Sequence, residues 1–334
     1  MPRRIPQTFR RFIAIESSGG IVLVLAAVIA LICANSPFKI GYEEFWRPGE
    51  AFINEGLMSI FFFLVGLEIK REFIHGELRD PKKAALPVLG AIGGMILPAL
   101  IYALVNQGGD GSAGWAVPMP TDIALAVGAL TLLGSRINPS LKIFLLSLAI
   151  ADDLGSILVL GVFYSDGLSP LKIASTIGAV LFAWIIPTRT KLPLNSLIDW
   201  IHPWSSYLVI PVFALANIGV TIDFSSLQTL ITSPISLGII IGRVVGKFIG
   251  ITLFVWLAVR IGIARMPGAV SMKEIAGVAA LGGMGLTVSL FIADLAMKDP
   301  TQLSQVKTGL IISAILSAFI GLGILRKATS IKPE

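Results

Sequence analysis

Charged residues are scarce in this sequence. Only 14% of its 334 residues are Asp, Glu, Lys or Arg, whereas 55% are hydrophobic. Because soluble globular domains carry roughly 25% charged residues, this composition excludes an ordinary soluble domain. Apolar runs long enough to cross a bilayer as a helix, about 17–25 residues, recur along the chain. We therefore predict an all-α polytopic membrane protein.

The chain is also poor in residues that build disulfides and metal clusters. It has one cysteine, Cys33, in the first apolar run, and two histidines, His75 and His202, in or beside predicted cytoplasmic loops. A single cysteine excludes a disulfide framework, and the histidines form no cluster in the sequence. No phosphate-binding loop is visible, so ATP-driven pumping has no support. We expect neither a cofactor nor an enzymatic activity.

Ten membrane segments are predicted, and the connections between them are short. This organisation predicts a single transmembrane domain over residues 1–334. The predicted spans lie near 14–35, 54–74, 85–106, 115–134, 141–163, 169–187, 205–220, 235–259, 275–296 and 303–325.

Lysine and arginine are distributed unequally between the two sides of these spans. With the N-terminus in the cytoplasm, 19 of the 26 fall on the cytoplasmic side and 5 outside. This positive-inside bias predicts that both termini are cytoplasmic. The net charge of +6 follows from the same bias and from contact with anionic lipid head groups, so we predict no nucleic-acid partner.

Five charged residues stand out inside the predicted spans. They are Asp122, Asp152, Asp153, Arg243 and Lys247. A charge in hydrocarbon costs several kcal/mol, so such residues usually line a water-filled cavity and mark ion or proton paths. A structural ion pair between two helices is the alternative. Three carboxylates against two cations nevertheless leave an acid excess that such a pair does not explain.

The spacing of these residues predicts how they are oriented. Asp152 and Asp153 are successive on a helix and point about 100° apart, so both can border one cavity in different directions. We expect one to meet a cation and the other the solvent path. Arg243 and Lys247 are four residues apart and share a face. Gly250, one turn further on, is expected to let another helix approach closely.

Two predicted spans carry residues that interrupt a helix. Pro118 and Pro120 in "VPMPTDIALAVG" cannot both continue a helix. The glycines of "ALGGMGLTVSL" (280–290) are a second candidate break, although glycines also allow close helix packing. Irregular backbone at membrane depth is tolerated only where it lines a cavity or is covered by protein.

Carboxylates together with hydroxyl and carbonyl oxygens suit a hard cation. A buried carboxylate can hold either a proton or a cation, and competition for the same oxygens is the simplest device for coupling the two. The residues therefore favour cation/proton exchange. A cation channel would use the same carboxylates without coupling the ion to protons.

The chain resembles the NhaA family of sodium/proton antiporters. The matching stretches occur in family order and cover nearly the whole sequence. They are "FFFLVGLEIKREF" (61–73), "PMPTDIALAVGAL" (118–130), "LSLAIADDLGSILVL" (146–160), "IPVFALANIGV" (210–220), "IGRVVGKFIGI" (241–251) and "LGGMGLTVSLFIADLA" (281–296). Interrupted membrane helices mark the binding site in many secondary transporters, a generalisation drawn in part from this family.

The resemblance implies an NhaA-like fold with two discontinuous helices and a role for each matching residue. Asp152 and Asp153 would bind the cation and the proton, with Lys247 paired to one of them; we expect that one to be Asp153. Thr121 and Asp122 would lie at a helix break beside the ion, where the carboxylate balances helix dipole ends.

A second matching segment concerns regulation. Glu68, Lys70, Arg71 and Glu72 match a cytoplasmic funnel that the family uses for activation by pH. The alternative is a solvated helix end that carries positive-inside charge.

The resemblance also implies a substrate and a location. The expected activity is pH-regulated exchange of Na⁺, and of Li⁺, for H⁺ across the bacterial cytoplasmic (inner) membrane. The expected partners are the two ions, the lipid bilayer and a second copy of the chain in a homodimer.

The chain departs from the family pattern in one region. Family members usually have twelve helices, whereas residues 168–191 stand where about three helices are expected, as if the start of a sixth helix ran into the end of an eighth. The family's characteristic "SGVHAT" is absent. A degenerate, non-transporting family member is therefore a further alternative.

Overall fold

The computed structural model describes residues 7–164, 170–187, 194–221, 228, 231–268 and 270–329. These residues form helices and connecting loops, with no strand among them. The predicted all-α class is confirmed for this part of the chain.

Most of the described residues lie in twelve helical stretches. In chain order these are α1 (Gln7–Ala34), α2 (Lys39–Trp46), α3 (Phe52–His75), α4 (Pro81–Val105), α5 (Ile123–Thr131), α6 (Pro139–Phe163), α7 (Pro170–Ile185), α8 (194–217), α9 (Pro234–Arg260), α10 (Met272–Leu281), α11 (Thr287–Ala296) and α12 (Pro300–Thr329). Short 3₁₀ turns occupy Arg47–Gly49, Glu77–Arg79, Ser112–Gly114 and Gly134–Arg136.

Six of these helices contain a stretch long and apolar enough to cross a membrane. They are α1, α3, α4, α6, α9 and α12. Many of their large apolar side chains are exposed on the outer surface of the bundle, such as Ile32, Leu104 and Phe319. Because lipid tails are the medium that tolerates such a surface, the chain is a multi-pass membrane protein.

Two stretches of irregular backbone interrupt the helices, and both lie inside the bundle. The first irregular segment is residues 115–122, which precede α5; the second is residues 282–286, between α10 and α11. Within the predicted span at 115–134, residues 115–122 are not α-helical and α5 begins only at Ile123, in agreement with the interruption predicted at Pro118 and Pro120. Pro118 and Pro120 explain this, since they remove amide donors and push the preceding residues toward extended backbone.

Two other boundaries differ from prediction. Helix α8 begins at Leu194 and not near residue 205, because polar residues lower the hydropathy of its first turns although Ile198 and His202 are buried there. The short helix α2 lies in a stretch where the apolar pattern predicts none.

Close helix contacts bring the interrupted segments and the charged residues together. A Cβ added to Gly250 of α9 would lie 2.1 Å from the Gly93 carbonyl oxygen of α4, and the reverse distance is 2.3 Å. The prediction that Gly250 admits a neighbouring helix is confirmed. Helix α9 also contains a π-helical turn, Gly242–Lys247, a deformation that is frequent at functional sites.

Candidate cation-binding site

The two irregular segments are hydrogen-bonded to each other. The Asp122 amide donates to the Met284 carbonyl (2.9 Å), and Thr121 Oγ1 donates to the Gly282 carbonyl (2.8 Å). A Cβ added to Gly285 would lie 2.8 Å from the Pro120 carbonyl oxygen. Only glycine allows this approach, so the glycines of the second segment permit both the interruption and close packing.

Asp122 of the first irregular segment contacts the N-terminus of α11, the helix that follows the second irregular segment. Its Oδ2 accepts hydrogen bonds from Thr287 Oγ1 (3.0 Å) and from the Thr287 amide (3.4 Å). Thr287 is the first residue of α11, whose N-terminus carries unpaired amides and the positive end of the helix dipole. The Asp122 carboxylate, which is 6% exposed, therefore compensates this helix end.

Lys247 contacts Asp152. Its Nζ lies 2.6 Å from Asp152 Oδ2 and also donates to the Thr121 hydroxyl. The predicted pairing of Lys247 with Asp153 is wrong. Successive helical residues point about 100° apart, and the orientation of α6 in the bundle directs the first aspartate, not the second, toward the lysine. The ammonium is completely buried and the Asp152 side chain nearly so.

Asp153 faces a cavity instead. The cavity is lined by Asp153, Asp122 and Thr121, and also by Glu68 and Glu16. In the part of the chain that the structure describes, Asp153 Oδ1 and Asp152 Oδ1 are buried without a hydrogen-bond partner. A buried carboxylate oxygen without a partner costs free energy, which a proton or a cation would recover.

Two carboxylates of the cavity lining, Glu16 and Glu68, form a cluster with His202 that the sequence did not predict. His202 Nε2 is hydrogen-bonded to Glu16 Oε1 and lies 3.9 Å from Glu68 Oε1. The assignment of His202 to a loop region is corrected, because this side chain is only 2% exposed inside α8. Glu16 gave a usable signal, since it is a carboxylate within the predicted first span.

Two other residues of the predicted regulatory segment, Glu72 and Lys70, contact α6 and α7 and are not part of the cavity lining. Glu72 Oε1 accepts hydrogen bonds from Ser147 Oγ and from the Glu77 amide, both at 2.9 Å. Lys70 Nζ donates to three carbonyls at the C-terminal end of α7, including that of Trp184 (2.7 Å). Arg71 is partly buried. Of this segment, the structure brings Glu68 to the cavity.

The site is built from oxygen ligands. Among the described residues, no three His, Cys, Asp or Glu side chains converge as they would in a resident metal cluster. The hydroxyls of Thr121 and Thr287 and the carbonyls of the irregular segments lie near the carboxylates. This donor set fits a hard cation.

Comparisons with known proteins identify relatives of the whole chain. The family model described as Na⁺/H⁺ antiporter 1 matches residues 10–174 and 172–325. Proteins named Na(+)/H(+) antiporter NhaA from Shewanella baltica (strain OS155 / ATCC BAA-1091) and Shewanella sp. (strain MR-4) are each 39% identical over 375 residues, covering 94% of this chain and 96% of the relative. The same-named protein from Shewanella baltica (strain OS195) is 38% identical with the same coverage.

These matches also locate a difference in length. The alignment runs over 375 residues but contains 94% of the 334 residues of this chain, about 314, so about 60 aligned residues of the relatives have no counterpart in it. The two ranges of the family model meet at 172–174, inside the stretch 168–191 that departs from the family pattern. Residues 168, 169 and 188–191 of that stretch lie outside the described residues.

The resemblance seen in the sequence motifs is confirmed. The matches extend from residue 10 to residue 325 and include every segment that forms the site. This chain therefore belongs to the NhaA family of sodium/proton antiporters.

Proposed function

We propose that the protein exchanges Na⁺ for H⁺ by letting the two ions compete for the buried carboxylates at the crossing of its two irregular segments. The observation that carries the proposal is the division between the paired aspartates. Asp152 is held by Lys247, whereas Asp153 lies on the cavity with an oxygen that has no hydrogen-bond partner. One carboxylate thus belongs to an ion pair and the other is open to cargo.

The charge balance of the site supports this mechanism. Asp122, Asp152 and Asp153 oppose Lys247 and Arg243, which leaves one net negative charge when all five are ionised. A buried net charge is unfavourable, so the site requires either a proton or a monovalent cation. Because both neutralise the same charge, binding of Na⁺ to Asp153 favours proton release, and proton uptake favours Na⁺ release.

The proposed topology has ten spans. Six are the long apolar helices, and the other four are α5 with the first irregular segment, α7, α8, and the pair α10 and α11 with the second irregular segment. We propose that the last pair and the α5 element are discontinuous membrane helices. The unequal distribution of lysine and arginine supports cytoplasmic termini in the bacterial inner membrane, within a single domain.

The contacts of α7 support an active protein despite the shorter chain. Gly66 of α3 packs against α7, where an added Cβ would lie 2.9 Å from Ala183 Cβ. Lys70 of the same helix donates to the carbonyls at the end of α7. Because α7 is packed and capped, and all five charged residues of the site are present, the degenerate alternative is not favoured.

Further properties follow from this proposal. Li⁺ is expected as a second substrate, since carboxylate and hydroxyl oxygens suit both small alkali cations. We assign pH regulation to Glu68 and its neighbours Arg71 and Glu72, because Glu68 lines the cavity beside His202. The transporter requires no cofactor and no nucleic acid, and it functions in the bilayer as a homodimer.

Reconstituted protein tests the activity. In proteoliposomes with a trapped pH dye, an imposed Na⁺ gradient is expected to drive proton movement in the opposite direction, with Li⁺ replacing Na⁺ and choline giving no response. A sodium current without proton movement would identify a channel, and no response to any cation would identify an inactive chain.

Asp122→Asn is expected to weaken apparent Na⁺ affinity without abolishing exchange. The amide oxygen can still accept the bond from Thr287, but the charge opposite the α11 dipole is lost. This compensation is worth about 1 kcal/mol, so the KM for Na⁺ should rise about fivefold. Sodium titrations of initial exchange rate measure the effect, with Thr287→Val as a control that keeps the charge. A complete loss of exchange would make Asp122 a primary carrier of the proton or the cation.

A further inference from the structure

Arg243 is a completely buried cation that the exchange mechanism uses only in its charge balance. Its exposed fraction is 0%, and it lies in the π-helical turn of α9, four residues before Lys247. Unlike the lysine, it is hydrogen-bonded to no aspartate in the described contacts. Its Nε donates to the Gly283 carbonyl (3.1 Å), Nη1 to Ser289 Oγ (2.9 Å) and Nη2 to the Pro120 carbonyl.

These three bonds connect both irregular segments. Pro120 belongs to the first segment, Gly283 to the second, and Ser289 to the first turn of α11. Each interruption leaves backbone carbonyls that no helix satisfies. One guanidinium, with its rigid fork of donors, satisfies a carbonyl in each segment at the same time.

The glycines of the second segment provide the room for this side chain. A Cβ added to Gly285 would lie 2.1 Å from Arg243 Nη2, and one added to Gly283 would lie 2.9 Å from the Arg243 carbonyl oxygen. The second irregular segment therefore has residues without side chains where it contacts Arg243. Asp122, in turn, binds the amide end of α11. At the crossing of the two irregular segments, the Asp122 carboxylate thus faces backbone amides and the Arg243 guanidinium faces backbone carbonyls.

We infer that Arg243 is a positioning residue for exchange: a fixed cation that clamps the carbonyl ends of both irregular segments and holds the net charge of the cation site at one negative unit. This inference rests on the proposed function. An arginine keeps its proton in proteins, whereas a buried lysine can release one. The charge of Arg243 thus stays constant while Lys247 and the aspartates exchange protons and Na⁺.

Two substitutions separate the charge from the clamp. Arg243→Lys keeps the positive charge but loses the fork of donors, whereas Arg243→Gln loses both. In R243Q the neutral residue leaves the site with two net negative charges, so the site binds protons more tightly. Relative to R243K, the pH profile of exchange in R243Q should move to alkaline pH by roughly one unit. Ser289→Ala is the matched control, since it removes one hydrogen bond and no charge.

Hydrogen exchange measures the clamp directly. Amides of both irregular segments, including that of Asp122, are expected to exchange at least tenfold faster in R243Q and R243K than in the wild type, and less so in S289A. If R243Q does not accumulate, R243K alone tests the inference. Faster amide hydrogen exchange in R243K, together with a pH profile of Na⁺/H⁺ exchange that is unshifted from the wild type, supports it. Unchanged amide exchange in R243K overturns it, as does an R243Q profile that coincides with that of R243K.

The same samples separate this inference from the proposed function. Wild-type protein without Na⁺-driven proton movement would refute the antiport proposal, whereas hydrogen exchange would still report whether Arg243 clamps the segments. Wild-type exchange with no response to either substitution would refute only the inference about Arg243.

Discussion

Asp153→Asn is expected to abolish Na⁺/H⁺ exchange while the protein still inserts and folds. The amide keeps the size of the side chain but removes the charge that faces the cavity. Losing one partner of a buried ionic contact costs about 3–5 kcal/mol, so the initial exchange rate in proteoliposomes should fall roughly 100-fold or more. Because Asp153 makes no bond to Lys247, the melting temperature should change little.

Asp294→Asn is the matched control for this substitution. Asp294 lies near the end of α11, outside the cavity lining, so the same chemical change there should leave exchange close to that of the wild type. Near wild-type exchange in Asp153→Asn would refute the assignment of the cation to this carboxylate. A loss of equal size in both variants would point to a general defect of folding.

Lys247→Gln is expected to change both stability and proton coupling. In the wild type, Lys247 Nζ lies 2.6 Å from Asp152 Oδ2. The substitution replaces this ammonium with a neutral amide and leaves the Asp152 carboxylate buried. An uncompensated buried charge lowers the free energy of unfolding by about 3–5 kcal/mol unless Asp152 takes up a proton. With one cation fewer, the site retains protons to higher pH. We expect a lower melting temperature, an alkaline shift of the pH profile, and fewer protons moved per Na⁺.

Lys307→Gln provides the comparison, because Lys307 is a partly buried lysine of α12 that is not part of the site. Sodium titrations across a pH series distinguish the two roles that Lys247 could have. A loss of stability with unchanged pH profile and unchanged coupling would make the lysine a structural tie.

The position of the site could be predicted from the sequence because local chemistry determines it. Two prolines in "VPMPTD" interrupt a helix wherever it lies, and adjacent aspartates in an apolar run require a polar environment. The structure has Thr121, Asp122, Asp152 and Lys247 close together, as the resemblance to the family implied.

Which aspartate meets Lys247 could not be predicted, because that depends on how α6 is rotated against α9. The sequence gives the angle of about 100° between Asp152 and Asp153, but the rotation of α6 is set by packing such as that of Leu148 of α6 and Val255 of α9 against Gly90 of α4. The hydropathy pattern does not distinguish Asp152 from its neighbour Asp153, yet which of the two faces Lys247 decides which forms the ion pair.

The Glu16 and His202 pair could not be predicted for a different reason. The two residues are 186 positions apart in the chain, and each lies near the end of an apolar run where charge is common. Only the packing of α1 against α8 reveals that they are buried together. Likewise, nothing local to Arg243 indicates that its acceptors are carbonyls of two distant segments.

Proton release on Na⁺ binding tests the central claim, that Na⁺ and H⁺ compete for the same buried carboxylates. NaCl is added to purified protein in weakly buffered detergent solution, and the released protons are measured over a series of pH values, with choline chloride as the control. We predict proton release by Na⁺ but not by choline, and its loss in Asp153→Asn. Binding of Na⁺ to the wild type without proton release at any pH would contradict the account.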